Sequence, residues 1–140
     1  MSAKGAFGYT ALHRVAYTQF VDLCEFILKQ EGNVDALSKN GSTPLLIAAR
    51  EGHAGVVEMM LKYGADPNDG GDKGITPLMI AAAEGHEGIV RLLLAYGGDP
   101  TEKQPEGRTA LHEAVDAGHV GVCRILVEEG GVSVEACDCR

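Results

Sequence analysis

The sequence predicts an all-α solenoid: four helix-turn-helix units, joined by β-turn or hairpin loops, stacked into one domain over residues 1–140. Three observations carry that expectation. Threonines at 10, 43, 76 and 109 follow one another at steps of 33 residues without a gap. A Gly-His pair recurs in the second part of the unit, at Gly52-His53, Gly85-His86 and Gly118-His119. Hydrophobic residues make up 45% of the chain although Trp is absent and aromatics reach only 5%, so the core must be built from Leu, Ile, Val and Ala, which suits packed helices. A fixed period decides architecture before any local pattern does.

The units run from 5 to 37, 38 to 70, 71 to 103 and 104 to 136, with 137–140 as a tail or the start of a further, truncated unit. Each opens alike, as Gly8-Tyr9-Thr10-Ala11-Leu12-His13, Gly41-Ser42-Thr43-Pro44-Leu45-Leu46, Gly74-Ile75-Thr76-Pro77-Leu78-Met79 and Gly107-Arg108-Thr109-Ala110-Leu111-His112. The Thr43 and Thr76 hydroxyls can cap the first unpaired N–H groups of a helix, and Pro44 and Pro77 then take the first helical position, where a missing N–H does no harm. Gly52, Gly85 and Gly118 end that short helix because a left-handed residue without a Cβ carries little penalty. Val56, Val57, Met60 and Leu61 give the spacing of a second amphipathic helix, ended by Gly64, and Asp66 to Gly74 supplies the exposed turn to the next unit. The first unit departs by having Gln19-Phe20 in place of Gly-His.

A lone helix pair leaves its apolar face uncovered, so neighbours must stack and the end units must show water a more polar surface. One register position reads Arg14, Ile47, Ile80, Glu113 through the units, charged at both ends and apolar between, which predicts capping. The period, the Thr-Pro-Leu start, the Gly-His pair and the element Gly64-Ala65-Asp66 together resemble the ankyrin repeat, a β-turn followed by two helices. The resemblance covers the chain from about Gly5 to Arg140.

The formal net charge of −8 opposes nucleic acid and anionic membranes and favours neutral or basic partners. No apolar stretch of a secretory signal opens the chain, and no window approaches the roughly 20 apolar residues of a membrane span. A soluble protein of cytosol or nucleus with reduced thiols is expected.

Catalysis and metal binding find no anchor. His53, His86 and His119 recur once per unit, so neighbours should stand about one helix spacing, roughly 10 Å, apart. Two ligands of one zinc each lie about 2 Å from it, so these histidines should instead bond to backbone and neighbouring loops. His112-Glu113-Ala114-Val115-Asp116 starts like a zinc-protease helix but has Asp where the second His is required. Cys24 and Cys123 share a core register three units apart, far beyond the roughly 7 Å that a disulfide bridges. Cys137 and Cys139 belong to an exposed tail or truncated unit, or form half of a metal site without a second pair of ligands. No cofactor, metal or catalytic residue is expected.

What the resemblance implies for function is a protein-binding concave face made by the turn tips and the outward side of each first helix. Carried over position by position, it holds Phe7, Tyr9, Tyr17 and Thr18 in the first unit and Lys39, Asn40, Ser42, Arg50, Glu51 and Tyr63 in the second. The third contributes Asp72, Lys73, Ile75 and Glu84, with Ala83 and Tyr96, and the fourth Arg108 and Asp116, with Glu106 and Ala117. Tyr, Phe and Arg are the usual anchors of interfaces, which singles out a patch of Phe7, Tyr9 and Tyr17 continuing to Arg50 and Tyr63, although Phe7 and Tyr17 also suit a plain end cover. Asn68 is similar to the turn asparagine that some ankyrin repeats have hydroxylated by a cytosolic oxygenase.

The expected function is therefore a non-enzymatic protein-interaction module, monomeric by itself, whose partner is another protein. The alternative is a regulatory or targeting domain of a larger enzyme, channel or ubiquitin-ligase subunit. A small inhibitor like those of cyclin-dependent kinases ranks lower, because that family shortens the first helix of its second repeat, whereas Thr43 to Arg50 is full length.

Overall fold

A computed structural model describes residues 11–30, 37–38 and 41–132. Each unit contributes two short antiparallel helices: α1 (Ala11–Val15) and α2 (Val21–Gln30), α3 (Pro44–Glu51) and α4 (Ala54–Lys62), α5 (Pro77–Glu84) and α6 (Glu87–Ala95), α7 (Ala110–Ala117) and α8 (Val120–Glu128). First helices pack on first helices along the stack, α1 on α3, α3 on α5 and α5 on α7, and second helices do the same from α2 to α8. The described residues are thus an all-helical two-layer solenoid without strands, as the period predicts.

The local signals act as expected. The Thr43 hydroxyl accepts from the Leu46 amide at 3.2 Å and that of Thr76 from the Met79 amide at 3.3 Å, with proline following each cap. In the fourth unit, which lacks the proline, Thr109 and His112 cap each other, the Thr109 amide donating to His112 Nδ1 at 2.9 Å. Gly52, Gly85 and Gly118 end the first helices at φ near +80° (82, 81 and 77°).

One side chain repeats as a tie between neighbours. The Nε2 of His53, His86 and His119 donates to the carbonyl oxygens of Tyr17, Arg50 and Ala83, at 3.2, 3.2 and 3.0 Å, each in the preceding unit. The buried His13 donates to the Ser42 carbonyl at 3.0 Å. The histidines are structural, as their register implies. Asn68 is another tie: its Nδ2 donates to the Gly97 carbonyl at 3.1 Å and its Oδ1 accepts from the Asp99 amide at 2.7 Å, which joins successive turns.

The core is a continuous ribbon of Leu, Ile, Val, Met and Ala between the layers, among them Leu45, Met60, Leu78, Ile89 and Leu93. Ile47 and Ile80 are buried while Arg14 is exposed and Glu113 half-buried, so polar capping of the first-helix layer is present. It does not extend to the second-helix layer of the first unit. There Leu23 is exposed, although its register equivalents Val56, Ile89 and Val122 are buried.

Candidate functional site

The tips of the turns are set by backbone geometry. Ser38 N–H donates to the Ser42 carbonyl at 2.8 Å and Gly41 N–H to that of Ser38 at 2.9 Å, with Gly41 at φ 78° reversing the chain. Gln104 and Gly107 repeat this pattern in the fourth unit. The Asp72 amide donates to the Gly41 carbonyl at 3.0 Å, drawing the third tip against the second.

Between those two tips and the first helices behind them lies an open notch of about 50 Å³, lined by Gly41, Ser42, Leu46, Arg50, Gly70, Lys73, Ile75 and Ile80. The buried Leu46 and Ile80 and the half-buried Ile75 form an apolar floor, with the exposed Arg50 and Lys73 and the half-buried Ser42 around it. Neither Arg50 nor Lys73 pairs with a carboxylate among the described residues, whereas Lys29, Lys62, Arg91 and Arg108 all do. Two uncommitted cations beside an apolar floor suit a carboxylate on an otherwise apolar segment. The volume exceeds the roughly 10–15 Å³ that one water requires.

Four residues singled out in the sequence, Ser42, Arg50, Lys73 and Ile75, are brought together here from two units. Tyr17, Arg50, Ala83 and Asp116 form one register row along the ends of the first helices, an exposed aromatic, a cation, a small residue and an acid in turn. Glu51 and Glu84 are exposed beside it, and Asp72 stands on the rim of the third tip. The remaining residues are used differently. Thr18 is half-buried, its hydroxyl donating to the Val15 carbonyl at 2.7 Å and accepting from the Phe20 amide, so it shapes the entry to α2. Tyr63 ends the second helix α4 and its hydroxyl donates to Glu25 of α2 at 3.3 Å, tying it to the second-helix layer rather than to Arg50. Arg108 is engaged by Asp116 and Glu113, with Gln104 also donating to Glu113 at 2.7 Å. The bonds to Asp116 and then Glu113 raise the guanidinium pKa further, so this trio is satisfied internally. Phe7, Tyr9, Lys39, Asn40, Cys137 and Cys139 lie outside the described residues.

Elsewhere the chemistry is quiet. Burial pushes the Cys24 thiol up to about 11 and raises that of Cys123, the reverse of what a nucleophilic cysteine needs. The Asp99 carboxyl is held low by the Thr101 hydroxyl and then the Thr101 amide, an ordinary turn. Among the described residues no three His, Cys, Asp or Glu side chains converge as a metal site, and no helix is long and apolar enough to cross a membrane. A cleft of about 360 Å³ opens in the fourth unit beside Thr101, Lys103 and Val132, but its Thr109 and His112 are occupied with capping each other.

Sequence reasoning missed one surface: Phe20, Leu23 and Phe26 stand exposed on the second-helix layer of the first unit. The signal was present, as Phe20 in place of histidine and Leu23 in register with a core valine.

A family model described as ankyrin repeats (3 copies) matches residues 1–71 and 68–138. Among curated proteins, the palmitoyltransferase ZDHHC17 of Danio rerio is 42% identical over 60 residues, which is 42% of this chain and 10% of that protein. The delta-latroinsectotoxin-Lt1a of Latrodectus tredecimguttatus is 41% identical over 61 residues, 42% of this chain and 5% of the toxin. A probable E3 ubiquitin-protein ligase, XBOS31, of Oryza sativa subsp. japonica is 36% identical over 58 residues, 41% of this chain and 13% of the ligase.

Proposed function

Since this chain belongs to the ankyrin-repeat family, we propose that it is a non-enzymatic protein-interaction module of cytosol or nucleus, and that its recognition surface centres on the notch between the second and third turn tips. The observation that carries the reading is the pair of cations without a carboxylate partner among the described residues, Arg50 and Lys73, set beside the apolar side chains of Leu46, Ile75 and Ile80. The partner is a protein segment, neutral or basic as a whole, that inserts one carboxylate. The chain's −8 charge repels a strongly acidic partner at a distance, but screening over about 8 Å leaves the two local cations in control at contact. Tyr17, one register step along the row, extends the surface with an aromatic anchor.

The second reading, a regulatory or targeting part of a larger protein, is favoured by one observation: the matched stretch is about a tenth of the palmitoyltransferase and of the ligase. Both readings use the same surface. Affinity purification with mass spectrometry, comparing wild type with Arg50→Glu/Lys73→Glu, tests it. Partners recovered by wild type should be lost by the variant at unchanged melting temperature, and equal recovery by a folded variant would refute the notch.

A further inference from the structure

The third turn tip departs from the others, and the departure leaves a main-chain acceptor unused beside the notch. In the second unit the Ser42 carbonyl accepts from the Ser38 amide at 2.8 Å and from the His13 ring at 3.0 Å. In the fourth, the corresponding Arg108 carbonyl accepts from the Gln104 amide at 2.9 Å. The third unit has neither donor. Gly71, in register with Ser38 and Gln104, turns its amide to Asp69 Oδ1 at 2.9 Å, and Leu46 stands where the first unit has His13. The carbonyl of Ile75, in register with Ser42, therefore accepts no hydrogen bond from another described residue. Gly71 holds the turn in this form at φ 65°, where a Cβ would run into the Gly41 carbonyl oxygen. A half-buried polar group without a partner favours a ligand that brings a donor.

Donors without acceptors border the same space. Arg50 and Lys73 have no carboxylate among the described residues, and the Ser42 hydroxyl makes no hydrogen bond to any of them. The register equivalents of the two cations are Tyr17 and Asn40 one junction earlier and Ala83 and Glu106 one junction later. The doubled cation thus belongs to this junction and not to the repeat as such.

We propose that the notch binds the C-terminal residue of a partner protein, an apolar residue whose free carboxylate meets Arg50, Lys73 and the Ser42 hydroxyl while its own N–H donates to the Ile75 carbonyl. This rests on the notch being the recognition surface. One water needs roughly 10–15 Å³, so about 50 Å³ holds only a few heavy atoms, and a single residue must meet everything the walls require. The walls require a negative charge, an N–H donor and an apolar group for the floor of Leu46, Ile75 and Ile80. A chain-terminal alanine, valine or leucine carries all three on one Cα. An internal aspartate spends its side chain on the carboxylate and brings nothing apolar, and an internal leucine brings no charge. A single terminal carboxylate also leaves the partner neutral or basic as a whole, in keeping with the −8 charge of this chain.

The test is an NMR titration of the isotope-labelled full chain with acetyl-glycyl-glycyl-leucine as the probe. Saturable shifts should appear at the amides of Gly41, Ser42 and Lys73 and at the carbonyl carbon of Ile75. Capping the probe's carboxylate as an amide should weaken binding at least about ten-fold, the loss expected for charge-assisted bonds. Ending the probe in leucic acid, which replaces the last N–H by an ester oxygen, should weaken it about five-fold, the contribution of one hydrogen bond. Leu46→His restores the donor that His13 supplies to Ser42 and should erase the difference between the amide-linked and ester-linked probes. His13 is buried in the same register, so the variant should fold, and the probe series stands without it. Equal affinity of the free acid and its amide overturns the proposal, and so does equal affinity of the amide-linked and ester-linked probes on wild type. A doubly blocked tripeptide with a central aspartate that binds the same atoms more tightly also overturns it, while leaving the notch as a carboxylate site. If no probe binds at millimolar concentration but Arg50→Glu/Lys73→Glu still loses its partners, the terminal residue is refuted and the recognition surface stands.

Discussion

Gly85→Ala isolates what a repeated glycine does in this stack. Gly85 has φ 81°, and a Cβ there would fall 2.7 Å from Cε1 of His119, whose Nε2 holds the Ala83 carbonyl at 3.0 Å. Two costs follow. Holding alanine in the left-handed region costs about 1–2 kcal/mol. Displacing the imidazole loses a hydrogen bond with a net contribution of about 0.5–1.5 kcal/mol. Together Gly85→Ala should destabilise by about 2–3 kcal/mol. Gly118→Ala is the internal control, because Gly118 has φ 77° but no described atom within 4 Å of the added carbon, leaving only the backbone cost of about 1–2 kcal/mol. Urea unfolding followed by circular dichroism gives both values. The reasoning also predicts coupling: in a His119→Ala background the cost of Gly85→Ala should fall to that of Gly118→Ala. A Gly118→Ala cost equal to that of Gly85→Ala, or an unchanged Gly85→Ala cost without His119, would show that the imidazole contact is irrelevant.

Two further outcomes probe other layers. The thiol of Cys24 is raised by burial from 9.0 to about 11, so between those values the unfolded chain ionises while the folded chain keeps its proton, and stability falls as pH rises. At about 1.4 kcal/mol per unit the loss approaches 2–3 kcal/mol at pH 11, and Cys24→Val, which copies Val57 and Val90, should remove that part of it. Urea midpoints at pH 8 and pH 10 that drop equally in the two proteins would sink this account. Thr76→Ala deletes the acceptor of the Met79 amide and should cost about 1 kcal/mol, read as a lower urea midpoint at constant m-value; an unchanged midpoint counts against the cap.

The fold was legible because its signals are local and repeated. Thr76, Pro77 and Gly85 delimit α5 by capping, by a preset φ and by a left-handed stop, and each acts within a few residues of itself. The histidines were readable for the same reason, since their register placed them once per unit. The candidate surface was legible only as a set of positions. Arg108 and Arg50 look alike in sequence, yet Arg108 is bound by Asp116 and Glu113 while Arg50 has no carboxylate among the described residues. Tyr63 is spent on Glu25, 38 positions away, a pairing that no local pattern announces.

The sequence by itself determined the period of the units and the helices and stops within them, because those depend on short-range bonding and on a repeat of 33 residues. Only the tertiary structure decided which side chains remain available. Arg50 and Lys73 meet across two units beside Ile75, because availability is what remains after neighbouring units have taken their hydrogen bonds, ion pairs and apolar contacts.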